Sequence, residues 1–349
     1  DGLKNQRLDT PFIKKNNNFS KISWLEAVET IEKKISGTNP KKIAGFTGDL
    51  INMESMFSAK EFFEKILISN NLDSRSEHLN LDINDRENYL FNSSINGIEE
   101  SDLIILIGTN PRHEATILNS RIRKSYLKNK TEIFSFTDVG DLTYPYYTIN
   151  NDTNSFNDFL EKKSKLYQKY KSSKKPMLIF GNSFFKLKSS KYLFNKTKKL
   201  VDETQKQLDY EWKILNVIQK DASSVGAYDL NIINSNDGSN ITLERLEKND
   251  FEIVFLFGQD NLNFKKKNEF VIYIGHHGDK GAELADVILP SPAYTEQDGY
   301  YTNLEGKLQK SYKSSYPTGD AKEEWEILNI LSLKIKKKNL FKDKNDLID

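Results

Sequence analysis

Gly108-Thr-Asn-Pro111 closes an apolar run and opens a helical pattern, the position at which open α/β sheets bind ligands and exposed backbone amides can face a phosphate. It lacks the GxGxxG and Walker spacings, so its plainer account is a tight turn, and Gly258-Gln-Asp-Asn261 has the same two readings. His276, His277 and Asp279 offer imidazole and carboxylate to a metal. Adjacent residues leaving a strand point apart, however, and no HxH or HxxxH pair accompanies them, so they read as a polar strand-end loop between Gly275, Gly278 and Gly281. Glu296, Asp298 and Glu305 are the densest acidic group, able in principle to do acid-base work. Their Gly-punctuated segment favours the capping of turns instead. Arg112, Arg121, Arg123 and Lys124, on and before one helix, could clamp a carboxylate or phosphate, but such a set more often forms surface ion pairs or a subunit contact, of which the contact is favoured. No Ser, His and Asp set with a nucleophile elbow stands beside them. No residue is therefore assigned a catalytic, cofactor-binding or metal-binding role.

Composition bounds the rest. The chain has 349 residues and no cysteine, so it can hold no disulfide, no thiolate-bound iron-sulfur cluster and no cysteinyl molybdenum; any such redox centre near it belongs to another polypeptide. Lys plus Arg total 51 against 50 Asp plus Glu, a balance that gives no field for nucleic acid. Arg occurs only at 7, 75, 86, 112, 121, 123 and 245 in a chain crowded with Lys, Asn and Ile. AT-rich codons specify those three, so the lysine clusters reflect coding bias and are not read as binding sites. The longest apolar runs, Leu103 to Ile107 and Ile253 to Phe257, fall far short of the roughly 20 residues that cross a bilayer, and no charged-then-apolar leader opens the sequence. A start at Asp1 without Met fits a processed product or one part of a longer chain.

The elements that would position these groups follow from periodicity. Trp24 to Ile35 has helical spacing behind a Ser23-to-Glu26 capping box. Lys42 to Thr47 reads as a strand feeding a helix that carries Met56, Phe57, Phe62, Phe63, Ile66 and Leu67. Further short apolar runs, at 103–107, 132–136, 177–180, 253–257, 270–274 and 287–289, are mostly closed by Gly or Pro, and their alternation with helices predicts open parallel sheets. Glu100 to Pro111 and Asn249 to Asn261 look like copies of one another, which points to two related α/β lobes. The expected organisation is a segment 1–40 packing on the core, a first lobe 41–150, a linker 151–175, a second lobe 176–335 and a basic tail 336–349, with a loop at Asn234 to Asn240 and the last helix starting near Ala321 behind Asp320.

Several segments together resemble one family. They are Asp1-Gly-Leu-Lys-Asn-Gln-Arg-Leu8, Glu99 to Arg112 continuing to Asn119-Ser-Arg-Ile-Arg-Lys124, Gly275-His-His-Gly-Asp-Lys-Gly-Ala282, and Ala285-Asp-Val-Ile-Leu-Pro290 with Tyr294-Thr-Glu296, Thr302-Asn-Leu-Glu-Gly306 and Gln309; Glu324-Trp325 then opens the closing helix. In order and spacing from residue 1 to about 335 the chain resembles the large iron-sulfur subunit of NADH:ubiquinone oxidoreductase, respiratory complex I. The resemblance implies a bilobed α/β fold of the formate dehydrogenase/DMSO reductase type, the molybdopterin oxidoreductase fold. It implies a non-catalytic, structural part of the peripheral arm that passes electrons from NADH to quinone, on the matrix side of the mitochondrial inner membrane. No cofactor would be bound by this chain; iron-sulfur clusters and FMN would lie on partner chains, among them the iron-sulfur-bearing amino-terminal half of the same subunit and other peripheral-arm subunits. The competing expectations are a working molybdopterin- or nucleotide-dependent oxidoreductase domain using the Gly108 and Gly258 turns, and a stand-alone nucleotide-binding protein.

Overall fold

Each apolar run named above forms a strand in the computed structural model, which describes residues 2–150, 152–208, 211–233 and 241–349. Numbered along the chain, the strands are β1 (Phe12–Lys15), β2 (Asn18–Lys21), β3 (Ile43–Thr47), β4 (Leu72–Asp73), β5 (Leu103–Ile107), β6 (Glu132–Ser135) and β7 (Tyr147–Thr148). They continue as β8 (Pro176–Phe180), β9 (Leu215–Val217), β10 (Ile253–Phe257), β11 (Phe270–Gly275), β12 (Val287–Pro290), β13 (Gly299–Thr302) and β14 (Leu308–Ser311).

Two sheets flanked by helices make an α/β fold of two lobes. A seven-stranded sheet runs β2-β1-β12-β11-β10-β3-β4, parallel from β12 to β4 and antiparallel where β1 meets β12 and β2 meets β1. A five-stranded sheet runs β7-β6-β5-β8-β9 and is parallel throughout. The two segments that looked like copies supply β5, the middle strand of the five-stranded sheet, and β10, the middle of the five parallel strands in the seven-stranded one. β13 and β14 form a separate antiparallel hairpin.

The middle strands are apolar at every position because both of their faces are covered. On β10, Ile253, Phe255 and Phe257 pack with Ile31, Ile35, Ile327 and Leu331 of the helices Trp24–Ser36 and Glu324–Lys336. Val254 and Leu256 point the other way, into a cluster with Leu243, Leu246 and Ala282. Burial of such side chains contributes roughly 1.5–3 kcal/mol each. The helix Trp24–Ser36 starts on the expected Ser23–Glu26 capping box, both arms of which are formed.

Several of the expected boundaries need correction. The stretch 151–175 is not a linker between lobes: apart from the undescribed Asn151 it holds the helices Thr153–Leu160 and Lys165–Ser172, whose Phe156, Phe159, Leu160, Leu166 and Tyr170 are buried against the five-stranded sheet. The lobes are likewise not consecutive, since β5 pairs with β8 across that stretch while β3 pairs with β10. The five-stranded lobe is inserted between β4 and β10 of the seven-stranded one. Segment 1–40 does more than pack on the core, because β1 and β2 extend the sheet itself. The basic tail folds back, burying Phe341 and Leu347, with Asn329 bonded to the backbone of Leu340 and Phe341. The last long helix starts at Glu324, with Glu323 and Glu326 as its capping box in place of Asp320 and Glu323. The loop expected at Asn234 to Asn240 lies outside the described residues.

Candidate functional site

In each sheet the winding reverses once, and at that point the loops leaving two neighbouring strands diverge to open faces, which makes it the place to look for a ligand. In the seven-stranded sheet the reversal lies between β3 and β10, and in the five-stranded sheet between β5 and β8. All four strands end in glycine: Gly48, Gly258, Gly108 and Gly181.

The first reversal is closed by its own groups. A Cβ on Gly48 would lie 1.9 Å from the carbonyl oxygen of Gly258, so the two turns touch backbone to backbone. Gln259 donates to the Thr47 carbonyl at 2.9 Å, Ser223 Oγ to the Gly48 carbonyl at 2.8 Å, and Asn261 Nδ2 to the Asp49 carboxylate. Three carboxylates gather here. Asp260 accepts from the Gly281 N–H at 2.9 Å and the Tyr273 hydroxyl at 3.0 Å, and burial, with repulsion from Asp279 and Asp49, raises its pKa despite those bonds. Asp221 is pushed up to about 6, first by burial and then by the charge of Asp49, with Lys220 partly offsetting both. The local field is therefore one that opposes a further negative charge.

At the second reversal Gly108 is left-handed (φ 60°), and a Cβ there would meet the Phe184 backbone nitrogen at 2.5 Å. Glu114, on the short helix Pro111–Glu114, turns back onto this loop: its carboxylate accepts the Asn110 N–H at 2.8 Å and the Thr109 hydroxyl at 3.1 Å. Asn110 caps the Arg112 N–H at 3.1 Å. The amide of Asn110, which an anion would need, is thus held by a side-chain anion already. Beside the turn lies a cavity of about 510 Å³ walled largely by Phe136, Phe156, Phe184, Leu187 and Leu193, with Thr137, Asp152, Thr153 and Ser183 as polar members.

The remaining residues nominated by type are dispersed. His276 and His277 bond to each other through Nδ1, and burial, then the neighbouring His277, pulls His276 down to about 4, so it is neutral near pH 7. Asp279 starts the helix Lys280–Leu284. Among the described residues no group of three or more His, Cys, Asp or Glu side chains is arranged to hold a metal ion. Glu296, Asp298 and Glu305 do not converge: Glu296 pairs with Arg7, Asp298 accepts the Lys313 N–H at 2.8 Å, and Glu305 accepts the Ile95 N–H at 2.7 Å. The four basic side chains are engaged within the chain. Arg121 and Lys124 both reach Glu99, Arg112 reaches Asp141, and Arg123 donates to the Thr143 carbonyl at 3.2 Å.

Residue type alone gave no sign of Glu114, Asp221 or Asp49, because nothing in their flanks distinguishes them from surface acids. Two buried ion pairs were also hidden: Arg75 on Asp73, and Arg7 on Glu296 through two contacts of 2.5 Å. The buried Glu324 accepts from Ser55 Oγ at 2.9 Å, and burial raises its pKa.

Comparison with known proteins accords with this architecture. A family model described as molybdopterin oxidoreductase matches residues 7–334. The chain is 38% identical over 333 residues to an NADH-quinone oxidoreductase subunit from Rickettsia bellii, a match covering 95% of this chain and 47% of that protein. It is 37% identical over 339 residues to the mitochondrial NADH-ubiquinone oxidoreductase 78 kDa subunit of Candida albicans, covering 95% of this chain and 45% of that one. The chain thus spans about half the length of the relatives it matches. Among solved structures, a chain of the formyltransferase/hydrolase complex of Methylorubrum extorquens superposes with a TM-score of 0.68 at 10% identity, covering 94% of this chain and 99% of that chain, which is a likeness of fold.

Proposed function

The chain belongs to the molybdopterin oxidoreductase family, and from that premise we propose that it is a structural, non-catalytic part of the large subunit of a mitochondrial NADH-quinone oxidoreductase, respiratory complex I. In this reading it supports the peripheral arm on the matrix side of the inner membrane. Its partners are the iron-sulfur-bearing amino-terminal half of the same subunit and neighbouring peripheral-arm subunits. Iron-sulfur clusters and FMN reside on those partners. The sustained similarity to complex I large subunits supports the assembly, and the word mitochondrial in the name of the Candida albicans relative supports the compartment.

One observation carries the non-catalytic part: carboxylates stand at both strand reversals. A pterin dinucleotide brings a pyrophosphate, and the family fold would receive its phosphates at such turns. Asp49, Asp221 and Asp260 crowd the first turn, and Glu114 occupies the Asn110 amide at the second. Bringing the two negative charges of a pyrophosphate into that field costs energy that no bond at these turns returns. The residues therefore do not fit the group, and no reaction step is built on it. Among the described residues no helix is long and apolar enough to cross a membrane, which accords with a place on the arm.

The test is purification of the native complex from its membrane. The chain is expected to comigrate with NADH dehydrogenase activity on a native gel, with molybdenum and tungsten far below one atom per chain. A chain recovered only as a free species would overturn the assignment to the complex. A stoichiometric metal-pterin would overturn its non-catalytic part and restore an active oxidoreductase.

A further inference from the structure

We propose that the exposed strand β14 and the segment after it, with the groove beside them, form the surface on which the iron-sulfur-bearing part of the subunit docks. This rests on the function proposed above and adds to it the place of contact. A two-stranded hairpin is marginal in water unless something packs on it. The first strand of this hairpin is packed: β13 lies over the helix Met53–Glu61, where Glu54 accepts the Tyr300 N–H at 2.8 Å, and the Tyr301 hydroxyl donates to the Leu50 carbonyl at 2.9 Å. The second strand is bare. β14 is exposed from Leu308 to Lys310, with Leu308 at 61% and, just past the strand, Tyr312 at 72% and Tyr316 at 81%.

These side chains form one strip and are not scattered. Leu308, Lys310 and Tyr312 alternate along the chain and so share a face. Lys310 Nζ sits 5.0 Å from the Tyr312 ring and 5.7 Å from that of Tyr300, its cross-strand partner, and Lys313 Nζ is 5.1 Å from the Tyr316 ring. The backbone N–H groups of Ser314 and Ser315 both donate to the Thr295 carbonyl, which brings the strip alongside Tyr294 and Leu3, both exposed. Between them lies a groove of about 390 Å³ lined by Leu3, Arg7, Thr295, Ser315, Tyr316 and Thr318. Its floor is rigid, because Arg7 and Glu296 lock residue 7 to this segment and Asp298 holds the Lys313 amide.

Exposed tyrosines on a fixed backbone are the anchors that protein interfaces use, since they bury much area at little entropic cost. Two features select the occupant. The neighbouring carboxylates Glu296 and Asp298 are engaged by Arg7, Lys310 and the Lys313 amide, which leaves the exposed Lys313 side chain as the strip's outward charge, suited to an apolar segment bearing Asp or Glu. The relatives also carry about as much further chain as this one spans, and that chain must be accommodated on some face of the fold.

The experiment labels lysine and tyrosine side chains in the isolated chain and in the native complex, and reads modification by mass spectrometry. Labelling of Lys310, Lys313, Tyr312 and Tyr316 is expected to slow by about tenfold or more in the complex, while Tyr192, exposed on the helix Ser190–Gln205, serves as the reference. The paired substitutions Tyr312→Ser and Tyr316→Ser, both at exposed sites, should leave the melting temperature unchanged and lower incorporation into the complex by about tenfold. If the chain is found in the complex yet the strip labels at its free rate, the docking surface is wrong and the function stands. If the strip is protected in the isolated chain at the same concentration, with sedimentation reporting a dimer, its occupant is a second copy and the proposal fails. Absence of the chain from the complex defeats the function and this inference together.

Discussion

Replacing Glu296 by Gln removes one partner of an ion pair whose side chains are only 9% and 6% exposed, and leaves the Arg7 guanidinium buried without its counter-charge. At an effective dielectric near 20, two unit charges about 4 Å apart attract by about 4 kcal/mol, and removing one member of a buried pair costs about 3–5 kcal/mol. Arg7 retains bonds to the His276 and Leu3 carbonyls, which favours the lower end, about 3 kcal/mol. Arg7→Leu should cost a similar amount, but the double variant Arg7→Leu with Glu296→Leu should cost well under the sum, because no orphaned charge remains. The pH dependence has a definite sign. Burial would raise the Glu296 pKa, but the Arg7 bond and the Ala293 N–H outweigh it and hold the carboxyl below its ordinary value. A depressed folded-state pKa gives stability that is fully present above the unfolded value of about 4.3 and is lost as pH falls through the folded one. The wild-type chain should thus lose its advantage over Glu296→Gln below about pH 4. Urea unfolding followed by tryptophan fluorescence measures both effects. A single-variant cost below about 1 kcal/mol, or a double-variant cost equal to the sum, would refute the view that this pair is a coupled, desolvated lock.

Three further outcomes follow from the same geometry. Gly48→Ala drives a methyl to within 1.9 Å of the Gly258 carbonyl, so it should cost roughly 1–3 kcal/mol in urea, and an unchanged midpoint would mean that the first reversal is open. Asp221, with its pKa raised to about 6, contributes stability below its unfolded value that disappears as pH rises through 6; Asp221→Asn should therefore be more stable than the wild type by about 1 kcal/mol at pH 8 and equal to it near pH 4, as thermal melts across that range would report. Phe341→Ala, in the segment folded back on the helix Glu324–Lys336, should cost about 3 kcal/mol by the same urea assay, whereas a detached tail would register no change.

The strands and the cap of the first long helix were legible because they are written locally. Five consecutive apolar residues at 253–257 demand cover on both faces, and Ser23 with Glu26 closes its box within one turn. Sheet order is different in kind. Nothing near Ile43 indicates that its partner is Ile253, so a polar stretch after residue 150 passed for a boundary between consecutive lobes. The helical spacing of Phe156, Phe159 and Leu160 was present there but diluted by Asn, Asp and Lys. The tail misled for the same reason, since Phe341 and Leu347 are its sparse anchors among lysines. At the reversals the glycines could be read, and the acids that define their electrostatics could not, because Asp221 and Glu114 acquire meaning only when folding brings them to turns far from or behind their own place in sequence.

The insertion of one lobe between β4 and β10 also bears on synthesis. As the chain leaves the ribosome, β3 emerges about two hundred residues before the neighbour that covers its inner edge. The inserted lobe, whose strands all lie between 103 and 217, can close in the meantime as a unit of its own. The outer lobe must then wait with hydrophobic strands uncovered, a window in which a chaperone or an early-arriving neighbour finds its opportunity. Since the inserted lobe is fastened to the outer one by two crossings of the backbone, a single cut in either connection leaves it joined by the other. A protease could therefore nick this protein without parting its two lobes.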